Sequence, residues 1–382
     1  MKKTLLSMNV VSVVIPGLAH AASVNYSPSK VIAAMRVTNP KLKIIIAHRG
    51  IYGPMCPENS KCAIDAAVEK GIEAVEIDVK ETADGTPWPS HDLTIGRGTT
   101  YTLNGVFFDP YRKSVANAAN NPFLSKMRDA DLRKLALRDI NGHVVTADKN
   151  ISLQELLGYV RTRHKNIVIV FDIKFPQSVR KVAQIVKTMG LDNQTVLKFS
   201  STFWQPLEIP QQTMGLAFSP TLYAPQLDEI ADRYFLQKTP DDRVHTYMKA
   251  FTYVKGFTYF EIGNKMFQWY GSAAAVFGPT AKVTNQLTNE RYPIGNFIPV
   301  IEHHADSRSP QTGFYHTDGY CCTRLVDFLS KTKRFGDETR DDRTNLNIQV
   351  RFNENVITDN AIAARAEAER IGSRQDVWKI IN

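Results

Sequence analysis

The stretch Asn166-Ile-Val-Ile-Val-Phe-Asp172 holds five consecutive apolar residues between polar ends, without alternation of polar and apolar positions. Such a run is typical of a strand that is covered on both faces, as in a parallel sheet. Ser152 and Glu155 form a capping-box pattern that predicts a preceding helix over 153–163, and helical spacing predicts a following helix over 178–189. The stretch therefore predicts βα units and an α/β fold.

The alternation of strand and helix continues on both sides of this unit. Short apolar runs predict strands over 43–47, 74–79, 86–91, 195–200 and 214–218, and later over 257–262, 297–301 and 346–352. Helical spacing predicts helices over 58–70, 129–137 and 361–371. An early G-x-G-x-x-G pattern is absent from the sequence, so a dinucleotide-binding fold has no support. At 382 residues, the predicted architecture is a (β/α)8 TIM barrel.

The composition is that of an ordinary globular protein, with 43% hydrophobic and 22% charged residues. The 47 basic and 38 acidic residues give a formal net charge of +9, which favours anionic small molecules. The sequence has no run of five or more like charges, and its densest basic segment, 161–165, lacks interleaved aromatic residues. We therefore expect no nucleic acid partner.

The N-terminus has the three parts of a secretory signal peptide. Lys2 and Lys3 precede a mostly apolar stretch over 5–18, and Ala19-His20-Ala21 matches a cleavage site. We expect a signal peptide over 1–21, a lead-in segment over 22–42 and one barrel domain over 43–375. The protein is then periplasmic or secreted, with no transmembrane segment in its mature form.

Export permits disulfide bonds among the four cysteines. Cys56 and Cys62 bracket a short segment and could close a small ring. Cys321 and Cys322 are adjacent, so each is expected to pair elsewhere or to stay reduced. Three pairings remain open.

Carboxylates stand at the ends of two predicted strands. Glu76 and Asp78 are two residues apart and therefore share one face of their strand, as do Asp172 and Lys174. The C-terminal strand ends of a barrel form its active site. Three carboxylates without a thiolate suit Mg²⁺, Ca²⁺ or Mn²⁺, with Lys174 placed to hold an anionic group. The alternative is a set of ordinary salt-bridged strand ends.

Histidines follow two other predicted strands. His48 and Arg49 come directly after the first strand, and His91 and Asp92 come after the third. Two histidines beside a metal can act as general acid and general base. A single histidine at a strand end is more often an ordinary hydrogen-bonded residue.

These residues lie in motifs that resemble those of the glycerophosphodiester phosphodiesterase family. The resemblance covers 43–205 and rests on His48-Arg49-Gly50, Pro57-Glu58-Asn59-Ser60, Glu76-Ile77-Asp78-Val79, Asp84-Gly85 and His91-Asp92. Phe171-Asp172-Ile173-Lys174 is similar to a strand that usually reads E-x-K, with Asp in place of Glu. Val356-Ile-Thr-Asp359 resembles the closing motif. The C-terminal half is extended relative to compact members, and 220–345 does not align.

The resemblance implies a site and a reaction. Glu76, Asp78 and Asp172 would bind one divalent cation, Mg²⁺ or Ca²⁺. His48 and His91 would form the acid–base pair, Arg49 and Lys174 would hold the phosphate, and Glu58 would lie beside the metal or a substrate hydroxyl. The implied reaction hydrolyses a small glycerophosphodiester to an alcohol and sn-glycerol 3-phosphate.

Two alternatives remain open. A phospholipase D or sphingomyelinase D-like enzyme acts on intact (lyso)phospholipids, and some of these share the F-D-x-K strand. Activity on lipid vesicles rather than on deacylated diesters separates it from the first interpretation. A non-catalytic binding protein on the same barrel is the second alternative, and the His48→Ala variant decides it because only an enzyme would lose turnover.

Weaker patterns lie in the C-terminal half. Eight aromatic residues between 251 and 270 are interpreted mainly as barrel packing; the other interpretation is a cap that makes transient contact with a lipid surface. Glu302-His303-His304-Ala-Asp306 and His316-Thr-Asp318-Gly319 are metal-site or strand-end candidates, for which a solvated loop is the favoured interpretation.

Overall fold

Eight parallel strands close into a barrel within the part of the chain that the structure describes. The computed structural model describes residues 24–108, 120–223, 226–233, 239–263, 266–267, 280–297, 300–301, 315–317, 323–324, 338–339 and 346–382. The barrel strands are β1 Ile44–Ala47, β2 Ala74–Glu81, β3 Val168–Ile173, β4 Thr195–Ser200, β5 Ala217–Tyr223, β6 Phe260–Gly263, β7 Ile294–Phe297 and β8 Asn355–Thr358. Neighbours in this order pair in parallel, and β8 pairs with β1. The predicted (β/α)8 barrel is confirmed.

Each barrel strand is followed by at least one helix. In chain order these helices are Lys61–Glu69, Leu153–Thr162, Pro176–Met189, Ile209–Thr213, Gln226–Arg233 with Pro240–Ala250, Ala281–Asn289, Leu346–Phe352 and Ala361–Arg370. Ser152 caps the second of them through the expected capping box with Glu155. The lead-in segment contains a two-turn helix, Pro28–Met35.

Smaller elements decorate the barrel. Short strands form at Pro87–Pro89, Thr102–Leu103, Val106–Phe107, Ala136–Arg138, Val144–Lys149, Met266–Phe267, Val300–Ile301, Tyr315–Thr317, Thr323–Arg324 and Glu338–Thr339. A one-turn helix spans Asp129–Leu132, and 3-10 turns lie at Leu124–Lys126, Asp192–Gln194, Pro206–Glu208, Phe251–Tyr253 and Val377–Ile380. Among the described residues, no helix combines the length and the apolar character needed to cross a membrane.

Several expectations lie outside the described residues. These are the signal peptide over 1–21, Cys321 and Cys322, the segment 302–306, residues 318–319, and Trp269 and Tyr270. Of the aromatic residues before them, Phe251, Tyr259 and Phe260 are buried and Tyr253 is exposed. Packing therefore accounts for these three buried rings.

The prediction of a strand over 346–352 is wrong. The segment Leu346–Phe352 is a helix that buries Leu346 and Val350, four residues apart and hence on one helical face. The last barrel strand is β8, in which every residue is buried. A short apolar run fits a strand and one face of a buried helix equally well, so periodicity did not separate them.

The strand predicted over 86–91 is present as Pro87–Pro89, but it is not one of the eight barrel strands. Pro87–Pro89 pairs antiparallel with the end of β2, Val79 lying opposite Pro89. Pro87 and Pro89 have no backbone N–H to donate to a second neighbouring strand, so the segment forms a short edge strand. Similarly, 129–137 is one helical turn followed by the strand Ala136–Arg138, and the strand expected over 214–218 begins only at Ala217.

Alternate residues of the strands point to different cores. Ile45, Ala47, Val75 and Ile77 pack outward against the helices. The inward residues nearer the strand starts, including Ile44, Ile46, Ala74, Val168, Val170 and Val196, pack with Val31, Ile32 and Met35 of the first helix. The N-terminal end of the barrel is therefore filled by apolar side chains, and polar inward residues are left for the opposite end.

A buried ion pair between Arg374 and Glu73 lies at the apolar end of the barrel. Arg374 contacts Glu73 at 2.5 Å and donates to the Tyr26 hydroxyl at 3.1 Å. Glu73 also accepts from the Ile45 backbone N–H at 3.0 Å. Glu73 and Arg374 are both buried, so water could not solvate either charge if its partner were removed.

We expect Arg374→Ala to lower the free energy of unfolding by about 3–5 kcal/mol, because it leaves Glu73 buried without its counter-ion. Urea unfolding followed by circular dichroism measures the change. Arg370→Ala is the matched control, since Arg370 pairs with Glu367 at the surface and should leave the unfolding midpoint unchanged. Equal midpoints for both variants would contradict this role of Arg374.

Candidate active site

Charged side chains fill the C-terminal end of the barrel. Glu76 and Asp78 on β2, Asp172 on β3, Lys198 on β4 and Glu261 on β6 are all buried. They continue the inward-pointing rows that begin with apolar residues such as Ala74 and Val170. The expectation that Glu76 and Asp78 share one face is confirmed.

Three carboxylates converge closely enough to hold a metal ion. Glu76, Asp78 and Asp172 each offer an oxygen, and the three oxygens lie within 4.8 Å of one another. Burial and the neighbouring Asp78 raise the pKa of Glu76 above its ordinary value. A buried donor set made only of oxygens fits a hard divalent cation. These residues could therefore hold the expected ion.

Asn59 fixes the position of Asp78. Its side-chain amide donates to Asp78 Oδ2 at 3.1 Å, and its carbonyl oxygen accepts the Asp78 backbone N–H at 2.9 Å. Asn59 adopts a left-handed conformation with φ +56°, which asparagine tolerates better than most residues. Its place in the Pro57–Ser60 motif was visible in the sequence, but no role was predicted for it.

The loop that carries Asn59 is closed by a disulfide bond. Cys56 and Cys62 are bonded, with 5.5 Å between their Cα atoms, so of the pairings left open by the sequence the small ring is the one that forms. The ring contains Glu58 and Asn59. Met55 and Cys62 donate backbone N–H groups to Asp139 and Asp148, which ties this loop to the antiparallel strand pair Ala136–Arg138 and Val144–Lys149.

Glu58 lies between two arginines. It accepts from Arg49 Nη1 at 3.0 Å and from Arg97. Burial acts in the opposite direction, but the two guanidinium groups lower the pKa of Glu58 to about 2. The structure therefore makes Glu58 an ionised anchor for Arg49 and Arg97, and Arg97 is a site residue without a predicted role.

The turn after β1 aims Arg49 into the site. Arg49 has φ +60°, and its Nε lies 3.4 Å from Asp78 Oδ2. Gly50 follows with φ +77°, and a Cβ there would lie 2.7 Å from the Cβ of Ala63. Only glycine fits this close approach to the first barrel helix, which explains the third residue of the His48-Arg49-Gly50 motif.

His48 is held by Asp359, the residue that follows the last barrel strand. Its Nδ1 lies 2.8 Å from Asp359 Oδ1, and its Nε2 lies 4.0 Å from Glu76 Oε2. Tyr52 donates its hydroxyl to the same Asp359 oxygen at 2.9 Å. Burial alone would lower the pKa of His48, but Asp359 and Glu76 outweigh it and raise this pKa. Asp359 closes the Val356–Asp359 motif but had no predicted role.

His91 has a similar contact and an opposite electrostatic outcome. Its Nδ1 lies 2.8 Å from Asp92 Oδ1, while Arg97 Nε donates to Asp92 Oδ2 at 2.6 Å. Burial and the positive charge of Arg49 lower the pKa of His91 well below its ordinary value. The histidine is therefore neutral near pH 7. It follows the antiparallel Pro87–Pro89 segment rather than a barrel strand.

Lys174 and Lys198 both contact Asp172. Their ammonium groups lie 2.6 Å and 3.1 Å from Asp172 Oδ2, and Lys174 is 43% exposed, which leaves it accessible to an anion. Burial raises the pKa of Asp172, but the two ammonium groups prevail and lower it. No role was predicted for Lys198, although a lysine within the otherwise apolar segment 196–199 is the signal that could have found it.

The fold and this site define a barrel protein with paired histidines beside a carboxylate cluster. Residues 48–226, slightly under half of the chain, match the model of the Glycerophosphoryl diester phosphodiesterase family. This match covers Glu58, both histidines, the three clustered carboxylates and both lysines that contact Asp172. This segment therefore matches the family model, and the resemblance of the motifs is confirmed.

Curated relatives match shorter stretches. Glycerophosphodiester phosphodiesterase 1 from Bos taurus is 38% identical over 92 residues, which are 23% of this chain and 28% of the relative. Its human counterpart is 34% identical over 114 residues, 29% of this chain and 34% of the relative. The chain thus spans about a third of the length of these relatives.

A solved structure shares the fold over nearly the whole chain. The glycerophosphoryl diester phosphodiesterase from Parabacteroides distasonis superimposes with a TM-score of 0.57 at 13% identity, covering 91% of this chain and 94% of that chain. This similarity supports the barrel architecture beyond residue 226, where the family model ends.

We expect Asp172→Asn to weaken Mn²⁺ binding at least tenfold, because the variant keeps the side-chain size and loses one ligand charge. Calorimetric titration measures the affinity, and circular dichroism checks the fold. Asp192→Asn, which removes a surface partner of Lys187, serves as the control and should bind like the unmodified protein. Unchanged affinity in Asp172→Asn would exclude Asp172 from the ligands.

Proposed function

We propose that the protein is a metal-dependent phosphodiesterase that hydrolyses glycerophosphodiesters to an alcohol and sn-glycerol 3-phosphate. The observation that carries this proposal is the convergence of two histidine–carboxylate pairs on the barrel end that holds the three-carboxylate cluster. The family match supports the reaction class. The names of the curated relatives support the substrate class.

One divalent cation, Mg²⁺ or Ca²⁺, would be held by Glu76, Asp78 and Asp172 and would neutralise charge on the phosphoryl oxygens. Lys174 and Arg49 would bind the remaining anionic oxygen. Lys174 is the more accessible of the two, since Arg49 is buried between Glu58 and Asp78. Both cations favour an anionic substrate before any bond is broken.

The two histidines divide the proton transfers. Neutral His91 would accept the proton of the glycerol hydroxyl next to the phosphate, and that oxygen attacks phosphorus. Protonated His48 would donate its proton to the departing alcohol oxygen as the phosphorus–oxygen bond breaks, leaving a cyclic phosphate. Water then opens the ring with the roles reversed, so both histidines return to their starting states.

A location outside the cytoplasm is part of the proposal. The signal-peptide pattern over 1–21 supports export. The disulfide between Cys56 and Cys62 supports an oxidising compartment, because cytosolic proteins rarely keep such bonds. We therefore place the enzyme in the periplasm or outside the cell.

Exposed apolar residues favour the lipid-cleaving alternative as a second candidate. Phe175 is 37% exposed directly after Lys174, and Leu207 is 92% exposed in the connection after β4. Both belong to segments that follow barrel strands, on the side of the site. Cleavage of lysophospholipid or sphingomyelin in vesicles, without turnover of deacylated diesters, would favour this candidate.

We expect the protein to release sn-glycerol 3-phosphate from glycerophosphocholine with Mg²⁺ or Ca²⁺ and to stop when a chelator is added. A coupled dehydrogenase reports the product. His48→Ala and His91→Ala should each lower kcat about 10²–10⁴-fold.

His143→Ala is the matched control for these variants. His143 also pairs through Nδ1 with an aspartate, Asp139, but its side chain is 63% exposed. Its variant should keep full activity. Release of choline phosphate instead of glycerol 3-phosphate would contradict the proposed bond. Retained activity in His48→Ala would contradict the proposed acid–base pair.

Asp359→Asn should move the alkaline limb of the kcat/KM profile to lower pH. Activity falls at high pH as His48 loses its proton, and Asp359 raises the pKa of His48. Removing that charge lowers the pKa, so the fall begins earlier. Tyr52→Phe keeps the Asp359 charge and should shift the limb less. An unmoved limb in Asp359→Asn would assign it to another group.

A further inference from the structure

Lys198 lies inside the barrel, where its ammonium group contacts three carboxylates. It is 2% exposed, and its Nζ lies 3.1 Å from each of three carboxylate oxygens, those of Glu76, Asp172 and Glu261. The ammonium group donates hydrogen bonds to Glu76 and Glu261 and forms an ion pair with Asp172.

Two of these carboxylates are proposed metal ligands and the third is not. Glu261, on β6, lies outside the group of three that could hold a metal ion. Its Oε1 accepts from Lys198 and from the Tyr223 hydroxyl at 3.1 Å. Its Oε2 is buried and has no hydrogen-bond partner in the described part of the chain. Glu261 is therefore a fully buried carboxylate whose coordination is incomplete.

Four buried carboxylates at one barrel end are enough for two divalent ions. Two-metal phosphoesterases hold their ions about 3.5–4 Å apart, with carboxylates shared between them. In this barrel, Glu76 and Asp172 would be the shared ligands and Glu261 would complete the second set. The Lys198 ammonium lies among those three carboxylates.

We propose that Lys198 is a positioning residue that takes the place of a second metal ion and limits the site to one divalent cation. It occupies one oxygen of Glu76 and one of Asp172. Glu261 supplies the charge that makes burial of this ammonium favourable. The inference deepens the proposed function, because it rests on the metal site formed by Glu76, Asp78 and Asp172.

The proposal predicts opposite effects for the two partners. Lys198→Met keeps the chain length and removes the cation, so Mn²⁺ affinity should rise at least tenfold and two ions should bind. Glu261→Gln leaves the Lys198 charge less compensated beside the metal, so affinity should fall severalfold. The double variant removes both charges and should bind one ion with nearly the original affinity.

Mn²⁺ titration followed by electron paramagnetic resonance tests this, because it counts bound ions and shows a spin-coupled signal when two are close. Lys43→Met is the matched control: Lys43 is also buried and lies 3.8 Å from Glu354, but it contacts none of the site carboxylates that Lys198 contacts. It should bind one ion with unchanged affinity. Circular dichroism confirms the fold of every variant.

One bound ion and equal affinity in the unmodified protein and in all folded variants would overturn the inference and leave the metal site intact. If Lys198→Met does not fold, the comparison of Glu261→Gln with the double variant decides, since only the proposal predicts recovery of affinity in the double variant. An unmodified protein that binds no Mn²⁺ contradicts the metal site. In that case, Mn²⁺ binding gained by Lys198→Met still supports the role of Lys198, and its absence overturns both.

Discussion

Repulsion among buried carboxylates is the constraint on which the arrangement of this site depends. Glu76, Asp78 and Asp172 bring oxygens within 4.8 Å of one another inside the barrel. Buried like charges are tolerated only when hydrogen bonds and counter-ions compensate them. Asp78 is compensated by Asn59 and Arg49, Asp172 by Lys174 and Lys198, and Glu76 shares Lys198 with Asp172.

The barrel supplies these compensating groups because its strands meet at one end. Lys198 on β4 contacts both Glu76 on β2 and Glu261 on β6 across the barrel interior. The apolar residues at the other end, closed by the helix Pro28–Met35, keep water out of the interior there. A low dielectric environment strengthens each ion pair and makes each missing partner more costly. The apolar end of the barrel therefore strengthens the ion pairs at the charged end.

The sequence predicted the parts of this site that depend on local spacing. Glu76 with Asp78, and Asp172 with Lys174, are two residues apart, so one face of a strand follows from the pattern alone. The place of three other residues in the site depends on which strands meet across the barrel: Lys198, Glu261 and Asp359. Their contact partners are far away in the sequence, so spacing alone does not predict them. Asn59 and Asp359 lie in motifs that resemble those of the family, but no role was predicted for either residue.

The errors have a similar origin. Leu346–Phe352 satisfied a strand pattern, while the buried positions Leu346 and Val350 pack as one helical face. The expected third strand, 86–91, contains two prolines. These prolines favour the edge position that it takes beside β2. In both cases the competing structure was decided by packing partners outside the segment, which no local window contains.

The contrast between the two histidines shows why contact distance alone does not define chemistry. Both rings place Nδ1 2.8 Å from an aspartate oxygen. Asp359 is held by the neutral Tyr52 hydroxyl and keeps its full effect on His48, whereas Asp92 shares its charge with Arg97. Burial and Arg49 lower the pKa of both histidines, but at His48 Asp359 and Glu76 outweigh them. The surrounding counter-ions, rather than the histidine–aspartate contact, separate a proton donor from a proton acceptor in the proposed reaction.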